Sequence, residues 1–356
     1  AFIALFVFLL VIYANSFQGA FQFDDKINIF YNKNIFLESL DWPQIKGTFY
    51  GVDGKQINRP LAFLSFALNY HIHKLDVFGY HVVNFAIHYF SAVFLFLFIF
   101  RTLNLPKLRE QYGHISYSIA LLSAVFWATS PVQVTAVTYI VQRMAGMAGL
   151  FYILSMYFYL KGRTADKTWR SILYWGLCII SALLSVSSKE NAVLIPVSIW
   201  LYDFLLIQGV TRKNLIKNLK ILAPLVFIFA AFGLWYVDIG HYLSGDAYRH
   251  RPFTLAERLL TEPRVIVFYI TLLLYPVSSR LTLIHDIQVS TSLFSPWSTL
   301  PAIVLILFFV AVAVYISRKR PFLAFCILFF FLNHVIEGSF IALELIYEHR
   351  NYIPSM

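Results

Sequence analysis

Long apolar runs separated by short polar connectors dominate the pattern of positions along the chain. A run of about 17 to 25 apolar residues is long enough to cross a bilayer as a helix. The pattern predicts spans near 1–16, 82–100, 116–130, 137–160, 171–187, 191–209, 221–237, 298–316 and 321–340. A shorter run, 264–277, either crosses the membrane or is re-entrant. The chain is therefore predicted to be an all-α polytopic membrane protein with about nine to eleven spans.

Basic residues indicate which connectors face the cytoplasm. Half of the 28 Lys and Arg residues fall in four short connectors, at 101–109, 161–170, 212–220 and 318–320. By the positive-inside rule these connectors are cytoplasmic. All four lie on one side only if 264–277 does not cross, which favours the re-entrant alternative. The net charge of +10 is then accounted for by topology and anionic lipid, so no nucleic-acid partner is implied.

The long loops lie on the opposite, extracytoplasmic side. The first external loop covers about 22–81 and the second about 238–297. The cytoplasmic connectors are too short to hold a site, so we expect any chemistry on the outer face of a single membrane-embedded module, 1–356. Within the first loop, residues 60–75 begin with a proline that suits the first turn of a helix, and they predict an amphipathic interfacial helix. That helix would cover the end of the first span and leave a groove for a substrate with a polar head and a lipid tail.

Composition agrees with a membrane protein. Hydrophobic residues make up 59% of the chain and charged residues 13%, whereas a soluble domain is about a quarter charged. Cys178 and Cys326 lie inside apolar runs, so no disulfide framework is predicted. The chain opens within an apolar run, so we expect further residues before Ala1 and beyond Met356.

An acidic pair, Asp24 and Asp25, follows the first apolar run in the stretch FQFDD. Charge at the edge of a bilayer is costly, and it is usually tolerated where it is paired or used. Two alternatives follow from the residues alone. The pair either performs chemistry at the membrane surface, or it only ends the span and binds interfacial water or Lys26.

Five stretches together carry a family resemblance. In chain order they are FDD, NRPLAFLSFALNYHIHKLDVFGYHVVNFAIH, SPVQVTAVTYIVQRMAGMAGLFYILSMYFYLKGR, SKENAVLIPVSIWLYDF and EHRNYIPS. The set resembles the membrane half of the transmembrane-and-tetratricopeptide-repeat O-mannosyltransferase family and its bacterial relatives, in the C-type glycosyltransferase superfamily. The resemblance covers nearly the whole chain. The tetratricopeptide repeats of that family are absent from this chain, and Gln142-Arg143 stands where Gly-Arg is expected.

The resemblance implies a C-type glycosyltransferase-like bundle, an acidic pair in the first external loop and a polyprenyl- or dolichyl-phosphate sugar as donor. It also implies an active site on the periplasmic side of a bacterial inner membrane or the lumenal side of the endoplasmic reticulum. The acceptor would be a hydroxyl of a protein Ser or Thr, or of a glycan. A tetratricopeptide-repeat region would then come from a further part of the protein or from a partner subunit.

The chemistry of the acidic pair fits transfer from a lipid phosphate. Such a donor has a good leaving group, so transfer needs one base for the acceptor proton, whereas glycoside hydrolysis needs two carboxylates. One of Asp24 and Asp25 would be that base, with Asp25 preferred, and the anomeric carbon would invert. The other would orient the acceptor or hold a divalent cation, Mg²⁺ or Mn²⁺. Like charges side by side near lipid should raise one of the two pKa values.

The departing phosphate needs cations, and the planar fork of arginine matches phosphate oxygens. The arginines predicted to bind it are Arg59, Arg143, Arg264 and Arg280. Arg143 is the most informative because it stands beside an apolar run; for Arg59 and Arg143 the alternative is an interfacial anchor. Five other external polar residues are candidates for the site: Lys189, Glu190, Glu348, His349 and Arg350. Lys189 and Glu190 could instead pair with each other.

A zinc site is disfavoured. His71, His73, His81 and His88 lack the close ligand pairs that zinc sites usually show. No glycine-rich phosphate loop appears either, which argues against direct use of ATP or a nucleotide-sugar. Two other classes of function remain. A transporter or flippase of lipid-linked sugars should show inverted repeats, and none is visible; a non-catalytic membrane scaffold would use FDD and EHR only for docking.

Overall fold

The computed structural model describes residues 1–52, 54–220 and 245–356. The described residues are helical and contain no strand, which confirms the all-α class. The predicted span 221–237 and the start of the second external loop lie outside the described residues. The α-helices of the described part are α1 Phe2–Tyr13, α2 Trp42–Thr48, α3 Pro60–His73, α4 Val77–Leu103, α5 Pro106–Tyr112, α6 Ser116–Thr129, α7 Val134–Thr138, α8 Arg143–Arg163, α9 Thr168–Val186, α10 Ile195–Tyr202, α11 Leu255–Leu274, α12 Thr299–Ile316 and α13 Pro321–His334.

Four helical segments of the described residues are long and apolar enough to cross a membrane. They are α4, α9, the continuous stretch Glu190–Gln208, and α12. A fifth span results if Pro106–Thr129 and Pro131–Thr138, which meet at a bend of 52°, are counted as one. The described part of the chain therefore provides four to five candidate spans, and the predicted nine to eleven are not reached within it.

The remaining predicted spans fall short for identifiable reasons. The first helix and the turn after it end at Gln18, and α13 has only 14 residues, so both are shorter than a membrane-spanning helix. The run predicted at 137–160 is divided, because a 3₁₀ turn, Ile140–Gln142, separates α7 from α8. Residues 264–274 form the second half of the continuous helix α11, with no reversal inside it.

The described chain forms two compact units. The first unit comprises Ala1–Pro196, Pro276–Leu281 and Glu348–Met356, and the second comprises Val197–Tyr275 and Thr282–Tyr347. In the first unit α4 is central and packs against α6 and α8, while α8 packs against α9. Buried alanines on α4 and α6 allow these helices to approach closely.

The segment Glu348–Met356 packs into the first unit through Tyr352. The tyrosine hydroxyl lies 3.0 Å from His88 Nδ1, and its carbonyl accepts a hydrogen bond from Trp127 Nε1 at 3.3 Å. A Cβ atom at Gly149 would lie 2.5 Å from the Tyr352 ring, so glycine at this position of α8 makes room for the aromatic side chain. These contacts fix the 3₁₀ turn Glu348–Asn351 in the first unit.

Helix α3 confirms the helix predicted after Pro60. Its buried side chains include Phe63 and Phe66, and the N–H of Leu61 donates to the carbonyl of Ser187 at the end of α9. Proline stands at the first helical position, where its missing N–H costs no hydrogen bond. The first loop is thereby tied to the helical bundle.

The second unit is organised by a buried arginine on α11. Arg258 forms an ion pair with Glu262 one turn later, at 2.7 Å, and both side chains are almost completely buried. The same guanidinium donates to the carbonyl oxygens of Glu337, Ser339 and Leu343. Through these three bonds the arginine fixes the loop that follows α13.

Candidate active site

The acidic pair lies in a tight turn just beyond the first helix. Asp25 is 1% exposed, and its two carboxylate oxygens accept hydrogen bonds from the N–H groups of Gln22 (2.9 Å) and Val141 (2.6 Å). Asp24 is exposed, and its own N–H donates to the Tyr139 hydroxyl at 2.8 Å. The carboxylate of Asp24 accepts no hydrogen bond from another described residue. The two acids therefore face different surroundings, one buried and anchored and the other open.

Backbone strain separates the two side chains. Phe23, directly before the pair, has a φ of 32°, which is uncommon for a residue other than glycine. Such a conformation costs about 1–3 kcal/mol and persists where neighbouring contacts enforce it. Here that enforcement comes from the hydrogen bond that the Asp24 N–H donates to the Tyr139 hydroxyl and from the one that the Val141 N–H donates to Asp25, because both hold residues that follow Phe23 in the turn.

Burial sets the acidity of Asp25. It raises the pKa of the Asp25 carboxyl from 3.8 to about 6, although the N–H groups of Gln22 and Val141 act in the opposite direction, and the charge of Asp24 adds to the increase. The expectation that one acid of the pair has a raised pKa is met, with burial rather than like charge as the main cause.

A cationic cluster lies in the same unit around His349. It consists of Arg59, Lys189, His349 and Arg350, which come from three distant parts of the chain. Burial lowers the pKa of His349 well below 6.5, and the charges of Lys189, Arg350 and Arg59 lower it further. His349 therefore lies within electrostatic range of three cationic side chains, which favour an anion in their vicinity.

Arg59 is the most accessible cation of this cluster. Its Nε donates to both carboxylate oxygens of Glu190, at 2.9 and 3.1 Å, and its Nη1 lies 3.1 Å from Met144 Sδ. The Arg59 side chain is 33% exposed and that of Glu190 61% exposed. Glu190 therefore pairs with Arg59 at the surface, so the carboxylate already occupies an anion position beside this arginine.

One connecting segment, residues 131–144, contacts both groups. Its Tyr139 and Val141 hold the acidic pair, and its Met144 touches Arg59. Thr135 of the same segment donates to the carboxylate of Glu348 at 3.4 Å, and Glu348 is buried. The stretch SPVQVTAVTYIVQRMAG thus links the acids of the first loop to the EHRN turn.

Arg143 is buried at the start of α8. Its Nε donates to Asn84 Oδ1 at 2.7 Å, its Nη1 to the carbonyl of Ser65 at 3.1 Å and its Nη2 to the carbonyl of Tyr80 at 2.9 Å. The guanidinium also lies 4.8 Å from the centre of the Phe66 ring. All three nitrogens are engaged within the protein, so this geometry favours a role in joining α3, α4 and α8.

The other two arginines predicted to bind phosphate belong to different units of the chain. Arg264 belongs to α11 of the second unit, where it donates to Ser298 Oγ and to the carbonyl of Gln288. Arg280 lies partly buried in the 3₁₀ turn Ser278–Arg280 of the first unit. The cations grouped around His349 are instead Arg59, Lys189 and Arg350.

The histidines considered for zinc have separate partners. His71 contacts the carbonyl of Leu37 at 3.0 Å, and His81 that of Gly19 at 2.9 Å. Within residues 1–52, 54–220 and 245–356, no three His, Cys, Asp or Glu side chains are grouped to hold a metal. A hard cation could still use the open Asp24 carboxylate, since Mg²⁺ sites often take one protein carboxylate and complete their shell with water and phosphate.

Sequence reasoning missed two positioning residues, Tyr139 and Asn84. Both lie within the stretches that carry the family resemblance. Asn84 could have been suspected, because an amide side chain within an apolar helix usually has a buried partner. Tyr139 carried no such signal, since tyrosines are common at membrane surfaces.

The chain is similar in sequence to curated protein O-mannosyl-transferases. It is 30% identical over 234 residues to tmtc2 of Xenopus laevis, covering 62% of this chain and 27% of that protein. It is 29% identical over 221 residues to TMTC2 of Homo sapiens, covering 59% and 24% respectively. It is 26% identical over 224 residues to F38B6.6 of Caenorhabditis elegans, covering 61% and 29%. The resemblance to this family is confirmed over about 60% of the chain, whereas the sequence analysis expected it over nearly the whole chain.

The chain spans about a quarter of the length of the curated relatives it matches. No family model matches it, and no solved structure matches it.

Proposed function

We propose that this chain transfers a sugar from a polyprenyl- or dolichyl-phosphate donor to a hydroxyl group of a protein on the extracytoplasmic side of the membrane. The observation that carries the proposal is that one connecting segment holds the exposed Asp24 at one end and contacts the cationic cluster at the other. The names of the relatives support a mannosyl group and a protein acceptor. The endoplasmic reticulum or a bacterial inner membrane is the expected location.

Asp24 is the group we assign to the acceptor proton. A general base must come within hydrogen-bond reach of the hydroxyl it deprotonates, and Asp24 is open while Asp25 is buried under two backbone N–H groups. Asp25 then positions the turn. This assignment replaces the preference for Asp25 drawn from the sequence, which carried no information on which side chain points outward.

Arg59 is the residue we assign to the donor phosphate, with Lys189 and Arg350 beside it. Arginine binds carboxylates and phosphates in the same bidentate manner, so a phosphate can take the position of the Glu190 carboxylate. In the transfer step the acceptor oxygen attacks the anomeric carbon while its proton passes to Asp24. The bond between that carbon and the phosphate oxygen breaks, the electron pair leaves on the phosphate, and the cations stabilise the new charge.

A panel of labelled polyprenyl- and dolichyl-phosphate sugars tests the proposal. The purified chain is incubated with each donor and an unfolded secreted protein, and label in the protein is measured. We expect transfer from the mannosyl donor. Absence of protein-bound label with every donor, together with movement of donors across a reconstituted bilayer, would instead support a flippase.

Replacing Arg59 with glutamine is expected to weaken donor binding by about ten- to a hundredfold, because a charge-assisted bidentate contact is lost. Donor affinity is measured by titrating fluorescent polyprenyl-phosphate mannose into the purified chain. Glu190→Gln should have the opposite effect and strengthen binding, since it removes the anion that competes for the same guanidinium.

Arg109→Gln is the matched control, because Arg109 is an exposed arginine of a short connector. Arg59→Lys should restore only part of the affinity, since lysine keeps the charge and loses the planar fork. Unchanged donor affinity in Arg59→Gln would assign the phosphate to other cations.

The raised pKa of Asp25 predicts a pH dependence of transfer. As pH falls through about 6 the Asp25 carboxylate binds a proton and accepts the N–H groups of Gln22 and Val141 less strongly. The turn that presents Asp24 then loosens, so kcat/KM should decrease with falling pH, with a midpoint near 6.

Asp25→Asn should abolish the decrease of kcat/KM at low pH. It should also lower the rate of transfer by about tenfold at neutral pH, because the single oxygen of the amide can accept from only one side what the two carboxylate oxygens accept from two N–H groups. The measurement is a pH profile at constant ionic strength. A variant that retains the wild-type midpoint would show that another group titrates there.

A further inference from the structure

Three basic side chains gather at one end of the first unit, where α4 and α8 end and α9 begins. Arg101 lies in the last turn of α4, Lys161 in the last turn of α8 and Arg170 in the first turn of α9. The opposite ends of α4 and α8 meet where Arg143 bonds Asn84. At a rise of 1.5 Å per residue, Arg101 is about 25 Å along α4 from Asn84, so this end of the unit is separate from the candidate active site.

Aromatic rings contact two of these cations. The guanidinium carbon of Arg101 lies 6.0 Å from the centre of the Tyr157 ring, and Lys161 Nζ lies 4.8 Å from the centre of the Tyr174 ring. The face of an aromatic ring attracts a cation. Such a contact positions the basic group but uses none of its N–H groups in a conventional hydrogen bond, so these donors stay available for an anion.

The rings form a continuous row between Arg101 and Lys161. The Tyr157 ring lies 5.7 Å from that of Phe158, which stacks on Tyr174 at 6.4 Å with an angle of 15° between the ring planes. Tyr157 and Lys161 are four residues apart in α8, so they lie on the same face of that helix. The two cations therefore border one aromatic surface, which α8 and α9 build together.

The three basic residues lack an internal anion. Within the part of the chain that the structure describes, no salt bridge and no side-chain hydrogen bond engages Arg101, Lys161 or Arg170. Arg170 precedes Tyr174 by four residues in α9, so it stands on the same face as the row of rings. Asp166, in the connector between α8 and α9, is exposed and pairs with none of the three. Three positive charges at one place favour an external anion.

The position of the cluster indicates the source of this anion. Both α4 and α9 are candidate membrane spans, and Arg101 and Arg170 each stand at the third residue from a span end. Span ends lie at the depth of lipid headgroups. From there one face of α9 is apolar and open, with Ile172, Ile179 and Leu183 exposed by 67%, 58% and 63%. A free phosphate would use only the cations, whereas a phospholipid would also cover this apolar face.

We propose that Arg101, Lys161 and Arg170 form a binding site for the phosphate of one anionic phospholipid, whose acyl chains lie along α9. The arginines offer planar forks to the phosphate oxygens, and the lysine offers a point charge. Basic pockets between membrane helices bind lipid headgroups in this way. The site is a defined one, in contrast to a general attraction of basic connectors to anionic lipid. It is built from helix ends, so the shortness of the connectors does not prevent it.

The lipid site is independent of the proposed function. By the positive-inside rule this end of the first unit is predicted to be cytoplasmic, across the membrane from the proposed transfer.

Native mass spectrometry of the purified full chain tests the proposal. The chain is titrated with phosphatidylglycerol or with phosphatidylcholine, and the bound lipids are counted. We expect one phosphatidylglycerol to bind at least about tenfold more tightly than phosphatidylcholine, because only the former carries a net negative charge. Equal affinity for the two lipids would overturn the assignment to an anionic headgroup.

Replacing both Arg101 and Lys161 with glutamine should weaken binding of phosphatidylglycerol by about ten- to a hundredfold, since two charge-assisted contacts are lost. Arg101→Gln alone, at an exposed position that keeps the fold, should weaken it by about three- to tenfold. Arg109→Gln is the matched control, an exposed arginine of the same connector, and should change the affinity by less than about twofold. An equal loss in Arg109→Gln and Arg101→Gln would indicate general attraction and overturn the defined site.

Inorganic phosphate separates a lipid from a free anion. An excess of it should leave phosphatidylglycerol bound, because inorganic phosphate has no acyl chains to cover the apolar face of α9. Displacement of the lipid by inorganic phosphate would assign the three cations to a soluble anion and overturn the lipid site.

Discussion

Replacing Asp24 with asparagine is expected to lower the rate of sugar transfer by about a hundred- to ten-thousand-fold, the usual effect of removing a general base. Asparagine keeps the size of the side chain and the backbone N–H that donates to Tyr139, so the turn should survive. The amide cannot take the acceptor proton. The measurement is initial rate with labelled donor at saturating concentration, beside a thermal unfolding curve of the same preparation.

Donor affinity provides the control for this variant. Asp24 lies outside the cationic cluster, so the dissociation constant of polyprenyl-phosphate mannose should stay within about twofold of the wild-type value, well under 1 kcal/mol. Asp166→Asn is the matched control, at an exposed aspartate of the first unit, and should leave both rate and affinity unchanged. Near-normal transfer by Asp24→Asn would remove this carboxylate from the chemistry and leave the acidic pair as the polar end of a helix.

Replacing Arg143 with glutamine is expected to destabilise the protein by about 3 kcal/mol, because it leaves buried acceptors on Asn84, Ser65 and Tyr80 without their donors. For a chain of this size that change corresponds to a decrease in unfolding temperature of about 4 °C. The measurement is thermal unfolding in detergent, with Arg109→Gln as the control.

Donor binding distinguishes a structural Arg143 from a phosphate ligand. The folded fraction of Arg143→Gln should bind the donor as wild type does, in contrast to Arg59→Gln. A variant with unchanged unfolding temperature and lost donor affinity would return Arg143 to the phosphate site and would require its guanidinium to leave the partners described above.

The sequence predicted helix α3 almost to the residue, because the signals that define it are local. Proline at the first position and the apolar residues after it are contained in one short stretch. The division of the run at 137–160 could not be predicted, because its cause is not local. The bonds of Asn84 to the carbonyls of Val137 and Ile140 join this region to α4, more than 50 residues away along the chain.

The position of the acidic pair was predictable, whereas the difference between its members was not. Two carboxylates beside an apolar run are visible in any sequence. The groups that bury and anchor Asp25 are backbone N–H groups of Gln22 and Val141, which every residue type except proline possesses. The types of the residues at these positions therefore do not indicate which of the two aspartates is buried and which is exposed.

The packing of Tyr352 against Gly149 has a consequence for biosynthesis. Residues up to Pro196 emerge from the ribosome about 150 residues before Glu348, and at about 5–20 residues per second that interval is roughly 8–30 s. During it the nascent chain carries Asp24 and Arg59 but neither His349 nor Arg350. A partly synthesised chain therefore lacks Arg350, one of the three cations to which the proposed transfer assigns the leaving phosphate. In the proposed transfer, donor consumption would begin only when residues 348–352 are inserted, so that lipid-linked sugar is spared while translation is still in progress.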